Sequence, residues 1–242
     1  MHIAQELART ERTDYPWQVC LEDDNGGILG AGIMLDGEYI VTCAHVVDPG
    51  PEAGESLVRV RFDNREIASP GQARIIPDCF CPADESERGD VALLRLRDPL
   101  PGQPRTLLRG TWRRGQQVRV LGYPRGVPHG LWAAARIVGP AARPTQLVQL
   151  DVLPESPPIE PGFSGAAVID DGTGDIVGMI RRCETGGGGA CWMLPVKTIA
   201  AILGPVGRYL AAPSSDPEFS GPEPSGPKAG DPTAGDPGVA AP

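Results

Sequence analysis

From Trp17 onward, apolar and polar residues alternate in short runs separated by turn residues, the pattern of strands with one face buried. Trp17-Gln-Val-Cys-Leu, Gly30-Ala-Gly-Ile-Met-Leu and Tyr39-Ile-Val-Thr-Cys-Ala read as three strands, joined by Asp24-Asn-Gly-Gly and Asp36-Gly turns. Val58-Arg-Val-Arg-Phe alternates strictly, with Asp63-Asn64 as the turn that follows it. Ala73 to Ile76 and Val91-Ala-Leu-Leu-Arg-Leu continue the series. After the Pro/Gly-rich stretch from Asp98 to Pro104 the pattern restarts. Val118 to Gly122, Leu131 to Val138, Leu147 to Val152, Ala166 to Ile169, Ile176 to Ile180 and Cys191 to Leu194 are all strand-like.

Two sets of short strands divided near residues 98–112 predict an all-β fold of two packed six-stranded antiparallel barrels, about 17–98 and 112–195. Val196, Ile199, Ala200 and Leu203 have helical spacing, so 196–203 is expected to close a domain spanning 17–210. Ile3 and Leu7 give a short amphipathic pattern in the N-terminal extension, 1–16, over which 1–12 is expected to form a helix. From Ala211 to Pro242 the composition falls to Pro, Gly, Ala, Ser and Asp. A stretch with so little apolar surface cannot offset its ordering entropy and reads as a disordered tail or as a linker to a further domain or partner.

Composition narrows the function classes. With 32 glycines and 27 prolines, the chain favours short strands and turns over long helices. A net charge of −9 argues against a nucleic-acid or anionic-membrane partner, either of which needs a basic face. Part of that acidity is local: Asp216, Glu218, Glu223, Asp231 and Asp236 face Lys228 alone in the tail. The N-terminal sequence holds no apolar run of signal-peptide length, and no stretch approaches a membrane span, which leads to a cytoplasmic location. In that compartment the 6 cysteines are expected to be thiols. Cys79-x-Cys81 is too tight for a zinc pair. Cys183 and Cys191 bracket Gly186 to Gly189 and could face each other across a hairpin, but the compartment argues against a disulfide.

Three segments carry candidate chemistry. His45, one of 3 histidines, ends the run Ile40-Val-Thr-Cys-Ala-His-Val-Val at a strand–loop junction. Asp90 precedes an apolar strand in Arg88-Gly-Asp-Val-Ala-Leu-Leu-Arg-Leu, and Ser164 lies in Pro161-Gly-Phe-Ser-Gly-Ala-Ala-Val. Taken singly, each has a plain structural reading: a core histidine, a turn acid, a Gly-Ser turn. Their order and shared placement at strand ends suit nucleophilic catalysis. A serine hydroxyl attacks only when a base takes its proton. An imidazole titrates close enough to neutrality to do so, and a carboxylate fixes its tautomer. The N–H groups of Gly162 and Ser164 would bind the oxyanion, a geometry that needs a glycine-rich turn.

The contexts T-x-A-H, G-D-V-A-L-L-R-L and G-x-S-G, in that order, resemble trypsin-like serine proteases, and more closely the bacterial high-temperature-requirement branch. The resemblance covers roughly Trp17 to Leu203. It implies a serine endopeptidase acting on protein or peptide substrates through an acyl-enzyme, with no cofactor and no metal. His45, Asp90 and Ser164 would form its triad, and Gly162 and Ser164 its oxyanion hole. Phe163 stands where secreted trypsins carry the aspartate that binds a newly cut N-terminus. Gly165-Ala166 replaces two glycines. Val177-Gly-Met-Ile-Arg-Arg matches the substrate-pairing strand, which places Ile180, Arg181 and Arg182 at the primary pocket, narrowing it or favouring acidic substrates. The base of that pocket falls near Pro158, with Glu160 close by. The alternative is a protease fold that binds a partner without cutting it. Gly30-Ala-Gly lacks the third glycine and helix of a dinucleotide site, and no Lys-Ser/Thr pair follows Gly186 to Gly189 as a phosphate loop requires.

Overall fold

A computed structural model describes residues 15–48, 50, 57–62, 70–86, 88–103, 105–141, 146–183 and 190–211 of the chain. The expected N-terminal helix, the Asp63-Asn64 turn, the Gly186–Gly189 hairpin tip and the tail beyond Ala211 lie outside the described residues. The rest forms two closed antiparallel barrels of six strands each.

The first barrel comprises β1 (Gln18–Glu22), β2 (Ile28–Met34), β3 (Tyr39–Thr42), β4 (Leu57–Phe62), β5 (Gly71–Cys81) and β6 (Val91–Leu96), closed in the order β1-β2-β3-β6-β5-β4. The second comprises β7 (Gln117–Gly122), β8 (Leu131–Pro140), β9 (Val148–Val152), β10 (Ala167–Asp170), β11 (Ile176–Cys183) and β12 (Ala190–Pro195), closed as β10-β11-β12-β9-β8-β7. Closure removes the free edges that a short-stranded sheet would otherwise expose. Alternation shows directly in β4, where Val58, Val60 and Phe62 are buried and the residues between them are half-buried. In β11 the first six residues are all buried, so both faces of that strand are covered.

β5 runs further than the sequence pattern suggests. Alternation is lost at Pro77-Asp78, and the pairing with β6 shifts register between Ile75 and Phe80. A proline cannot donate to the ladder, so the strand passes it as an irregularity and resumes at Phe80 and Cys81.

The connection between barrels is pinned to the first of them. Thr106 donates from its backbone N–H to the Leu35 carbonyl at 2.8 Å and from Oγ1 to the Met34 carbonyl at 2.8 Å. Leu108, fully buried, bridges toward Leu210 and Ile176. Among the described residues, α1 (Ala44–Val47) follows β3 directly, α2 (Val196–Ile202) follows β12 with Val196 and Ile199 buried, and a 3-10 turn runs over Gly204–Tyr209. No helix among the described residues is long and apolar enough to cross a membrane.

The cysteines correct one expectation. Cys183 and Cys191 pair directly across β11 and β12, and a disulfide joins them; Cys20, Cys43, Cys79 and Cys81 remain thiols. Local register outweighed the argument from compartment, because adjacent partners in an antiparallel pair need no chain rearrangement to bond. With a sequence separation of 8, the loop is short. Alkylation of the unreduced, denatured chain should therefore modify the 4 free cysteines and leave the pair intact. Cys183→Ser together with Cys191→Ser should lower the unfolding free energy by about 2 kcal/mol in urea titration. Alkylation of Cys183 and Cys191 without reduction would contradict the bridge.

Candidate functional site

The register of β3 against β6 brings His45 and Asp90 together. Thr42 pairs with Ala92, so the chain leaving β3 and the chain entering β6 emerge side by side. His45 sits in α1 just past Thr42, and Asp90 sits just before Val91. Both Asp90 oxygens reach the imidazole Nδ1, Oδ2 at 2.8 Å and Oδ1 at 3.0 Å. Oδ1 also accepts the His45 backbone N–H at 3.0 Å. That N–H belongs to the first turn of α1, where the helix itself supplies no acceptor. The carboxylate therefore fixes the backbone and the ring of His45 together. An ionised carboxylate only accepts, so Nδ1 carries the proton and Nε2 is left with a lone pair on a half-exposed ring.

Asp90 has a φ of 66° and is the one non-glycine residue with positive φ among the described residues. Aspartate tolerates this conformation better than most residues, at a cost of order 1–2 kcal/mol. The side chain is buried, and burial alone would push its carboxyl upward. The hydrogen bonds from His45, followed by the charges of His45 and Arg181, outweigh burial and hold it below its ordinary value. Sequence reasoning did not find the Arg181 contact. Its Nε donates to Asp90 Oδ2 at 3.0 Å, and its side chain is only 6% exposed.

Ser164 lies in the turn leading to β10, held from both barrels. Its carbonyl accepts the Ala31 N–H of β2 at 2.8 Å, and the next N–H, of Gly165, donates to the Ile180 carbonyl of β11 at 2.8 Å. The hydroxyl donates to the Arg181 carbonyl at 3.3 Å. Gly162 has φ of 106° and Gly165 has φ of 85°, and a Cβ at either would run into backbone: the Tyr123 carbonyl for Gly162, the Ala31 carbonyl for Gly165. These glycines are required on both counts. Phe163 between them is fully buried in the second barrel's core, its ring lying over Gly122 where no side chain would fit. Among the described residues, neither the Gly162 nor the Ser164 N–H is taken by a backbone acceptor outside the ladders.

The other expected site residues divide. Ile180 is buried, Pro158 and Glu160 are exposed, and Arg181 turns inward to Asp90. Arg182 is exposed, with its guanidinium 5.1 Å from the Trp192 ring centre. A cavity of about 330 Å³ opens beside the imidazole, its lining including His45, Asp90, Arg181, Arg182, Phe80 and Pro82.

Cys43, His45 and Asp90 also place one potential ligand atom each within 4.8 Å of one another. The arrangement suits a cation poorly. Burial and the Asp90 charge push the Cys43 thiol well up, so it stays protonated and donates to the Ile180 carbonyl at 3.2 Å. The carboxylate is already shared with a guanidinium.

Residues 30–179 match the family model described as a trypsin-like peptidase domain. The mouse (Mus musculus) peroxisomal leader peptide-processing protease is 25% identical over 162 residues, covering 64% of this chain and 26% of its own. The pig (Sus scrofa) complement C1s subcomponent is 30% identical over 104 residues, 39% of this chain and 14% of its own. The chain thus spans about a quarter or less of these relatives' lengths. Among solved structures, the inactive form of a mutant Rv3671c from M. tuberculosis H37Rv superposes with a TM-score of 0.58 at 23% identity, over 80% of this chain and 87% of that one. The HtrA-type protease AlgW with a decapeptide gives 0.59 at 20% identity, over 80% and 65%. These structural likenesses concern the fold.

The Asp90 environment makes a pH-dependent prediction. Asp90→Asn keeps size and tolerance of positive φ but leaves Arg181 buried without its counter-charge, so it should cost about 3–5 kcal/mol at pH 7. A carboxyl held low in the folded state stabilises fully above its unfolded value near 4, and that contribution is lost as pH falls through the folded value. Urea titrations of wild type and variant should therefore begin to converge as pH falls below about 4, and continue to do so through the lower folded value. A gap unchanged down to pH 2 would show that the charge is not its source.

Proposed function

Because the chain belongs to the trypsin-like peptidase family, we propose that it is a serine endopeptidase in which Ser164 is the nucleophile, His45 the general base and acid, and Asp90 the residue that orients and charges the imidazole. The observation that carries this reading is the 2.8 Å bond from His45 Nδ1 to buried Asp90, which leaves Nε2 as an acceptor on an accessible ring.

In this mechanism the Ser164 hydroxyl leaves its resting bond to Arg181 and gives its proton to Nε2 as Oγ attacks the peptide carbonyl carbon. Negative charge then gathers on the carbonyl oxygen, toward the N–H groups of Gly162 and Ser164. Such donors act without reorganising, and each is worth about 100- to 1000-fold in rate. The imidazolium, stabilised by Asp90, protonates the leaving amine. A water deprotonated by Nε2 then attacks the acyl carbon, and the imidazolium returns that proton to Ser164 Oγ as the acyl–oxygen bond breaks, releasing the acid and restoring both residues. Burial of Phe163 in place of an N-terminus-binding acid supports activity that needs no cut near Trp17. With Arg181 turned inward, Arg182 is left as the cation that meets substrate.

A fluorophosphonate reacts with a serine only where a base and an oxyanion hole already exist. Labelling should fall on Ser164, vanish in Ser164→Ala and drop by orders of magnitude in His45→Ala. Double variants should lose little beyond the worst single one, since the three groups act as a unit. Folded, monodisperse protein that never labels between pH 6 and 9 would refute constitutive catalysis and favour a protease fold used for binding.

Specificity gives a separate test. In cleavage-site profiling with a peptide library, acidic or small residues before the cut should outcompete basic ones, and Arg182→Ala should erase the acidic bias. Strong selection for Lys or Arg would instead point to Glu160.

A further inference from the structure

Arg181 touches both ends of the proposed triad. Its guanidinium Nε bonds Asp90 Oδ2 at 3.0 Å, and its carbonyl accepts the Ser164 hydroxyl at 3.3 Å. The same Oδ2 accepts from His45 Nδ1 at 2.8 Å, so the fixed cation and the imidazole share one oxygen and lie less than about 6 Å apart. The guanidinium is a poor choice for stability alone. Its Nη1 is buried with no hydrogen-bond partner among the described residues. A well-packed apolar residue commonly stabilises a core as well as a buried ion pair does. The position is instead suited to controlling charge. An imidazolium beside an isolated buried carboxylate is strongly favoured; beside a carboxylate already matched by a permanent cation it is favoured much less.

We propose that Arg181 is a positioning residue of the triad that holds His45 in its neutral, base-competent form and sets the Ser164 hydroxyl through its carbonyl, so that activity extends to lower pH than the Ser–His–Asp unit would reach without it. The bearing on catalysis rests on the enzyme reading above; the charge coupling itself does not. Among the described residues, Asp90 bonds the imidazole and Arg181 bonds Asp90, the protonated Cys43 thiol precedes α1, and Asp48 and Arg182 line the adjoining cavity. Of these, only Arg181 is both cationic and buried against Asp90.

The test reads His45 directly. The full chain, labelled with ¹⁵N-histidine, is titrated by NMR as wild type and as Arg181→Gln, which keeps a donor and removes the charge. A His45→Ala spectrum assigns the signal among the 3 histidines. The midpoint of His45 should rise by about two pH units in Arg181→Gln, the scale of one charge at this distance in a medium of effective dielectric about 20. The acidic limb of kcat/KM should move with it. An unchanged or lowered midpoint, with only thermal stability reduced, would overturn the proposal and leave Arg181 a structural residue. Should Arg181→Gln not fold, Asp90→Asn compared with Asp90→Asn/Arg181→Gln removes the same cation without orphaning a carboxylate. Its midpoint should again rise, and no rise overturns the proposal. A chain that shows the shift but never labels with fluorophosphonate loses the enzyme reading and keeps this one.

Discussion

A carboxylate buried where the two barrels meet constrains everything around it. Asp90 is shielded from water, so its charge must be matched within hydrogen-bond distance, and three donors do this: the His45 ring, the His45 backbone and Arg181. The ring and backbone donors come from the first barrel, and the guanidinium comes from β11 of the second. The electrostatic requirement of one side chain thereby ties α1, the loop before β6 and β11 into a single cluster. Removing any donor leaves charge exposed to a low-dielectric interior, which is why such clusters hold their geometry. The left-handed backbone at Asp90 persists because these bonds over-determine it.

The second constraint is proximity. Ser164 hangs between β2 and β11 by backbone hydrogen bonds on either side, with the Ala31 carbonyl and the Thr42 hydroxyl pressed against Gly165. Thr42 Oγ1 in turn donates to the Ala31 carbonyl at 2.7 Å. Little can move here without breaking a ladder, so the serine's position is a property of how the barrels close. At rest the hydroxyl bonds to a carbonyl of β11, a strand itself fixed here by backbone bonds between Ile180 and both Gly165 and Ala166.

Much of this was legible in the sequence because it depends on period and punctuation. Alternation located the strands of both barrels, and the strand ends located His45, Asp90 and Ser164. What stayed hidden depended on contacts between distant strands. Arg181 follows an apolar run in a strand covered on both faces, yet nothing local distinguishes a guanidinium that turns inward to Asp90 from one that faces solvent. A register irregularity between Ile180 and Arg182 accompanies the inward turn, and its position cannot be read from alternation. The disulfide was hidden in a similar way. The spacing of Cys183 and Cys191 allows a bond across a hairpin, but only the register of β11 against β12 shows the two side by side. The long run of β5 was missed because Pro77 looks like an end and is in fact an irregularity within a strand.

Phe163 and Arg181 show two physical solutions to one problem, that of holding the Ser164 turn rigid from beneath. Phe163 does so by burial. Its ring fills the space over Gly122 and contributes a few kcal/mol of apolar packing without regard to pH. Arg181 acts through charge, from a strand that also accepts the serine hydroxyl, and its grip depends on the ionisation of Asp90. Because Asp90 is held low, that dependence is confined to acid conditions, and across the neutral range both supports act together. The geometry at Ser164 then follows from the two barrel cores and the seam between them, with Asp90 and its three donors fixing that seam from within.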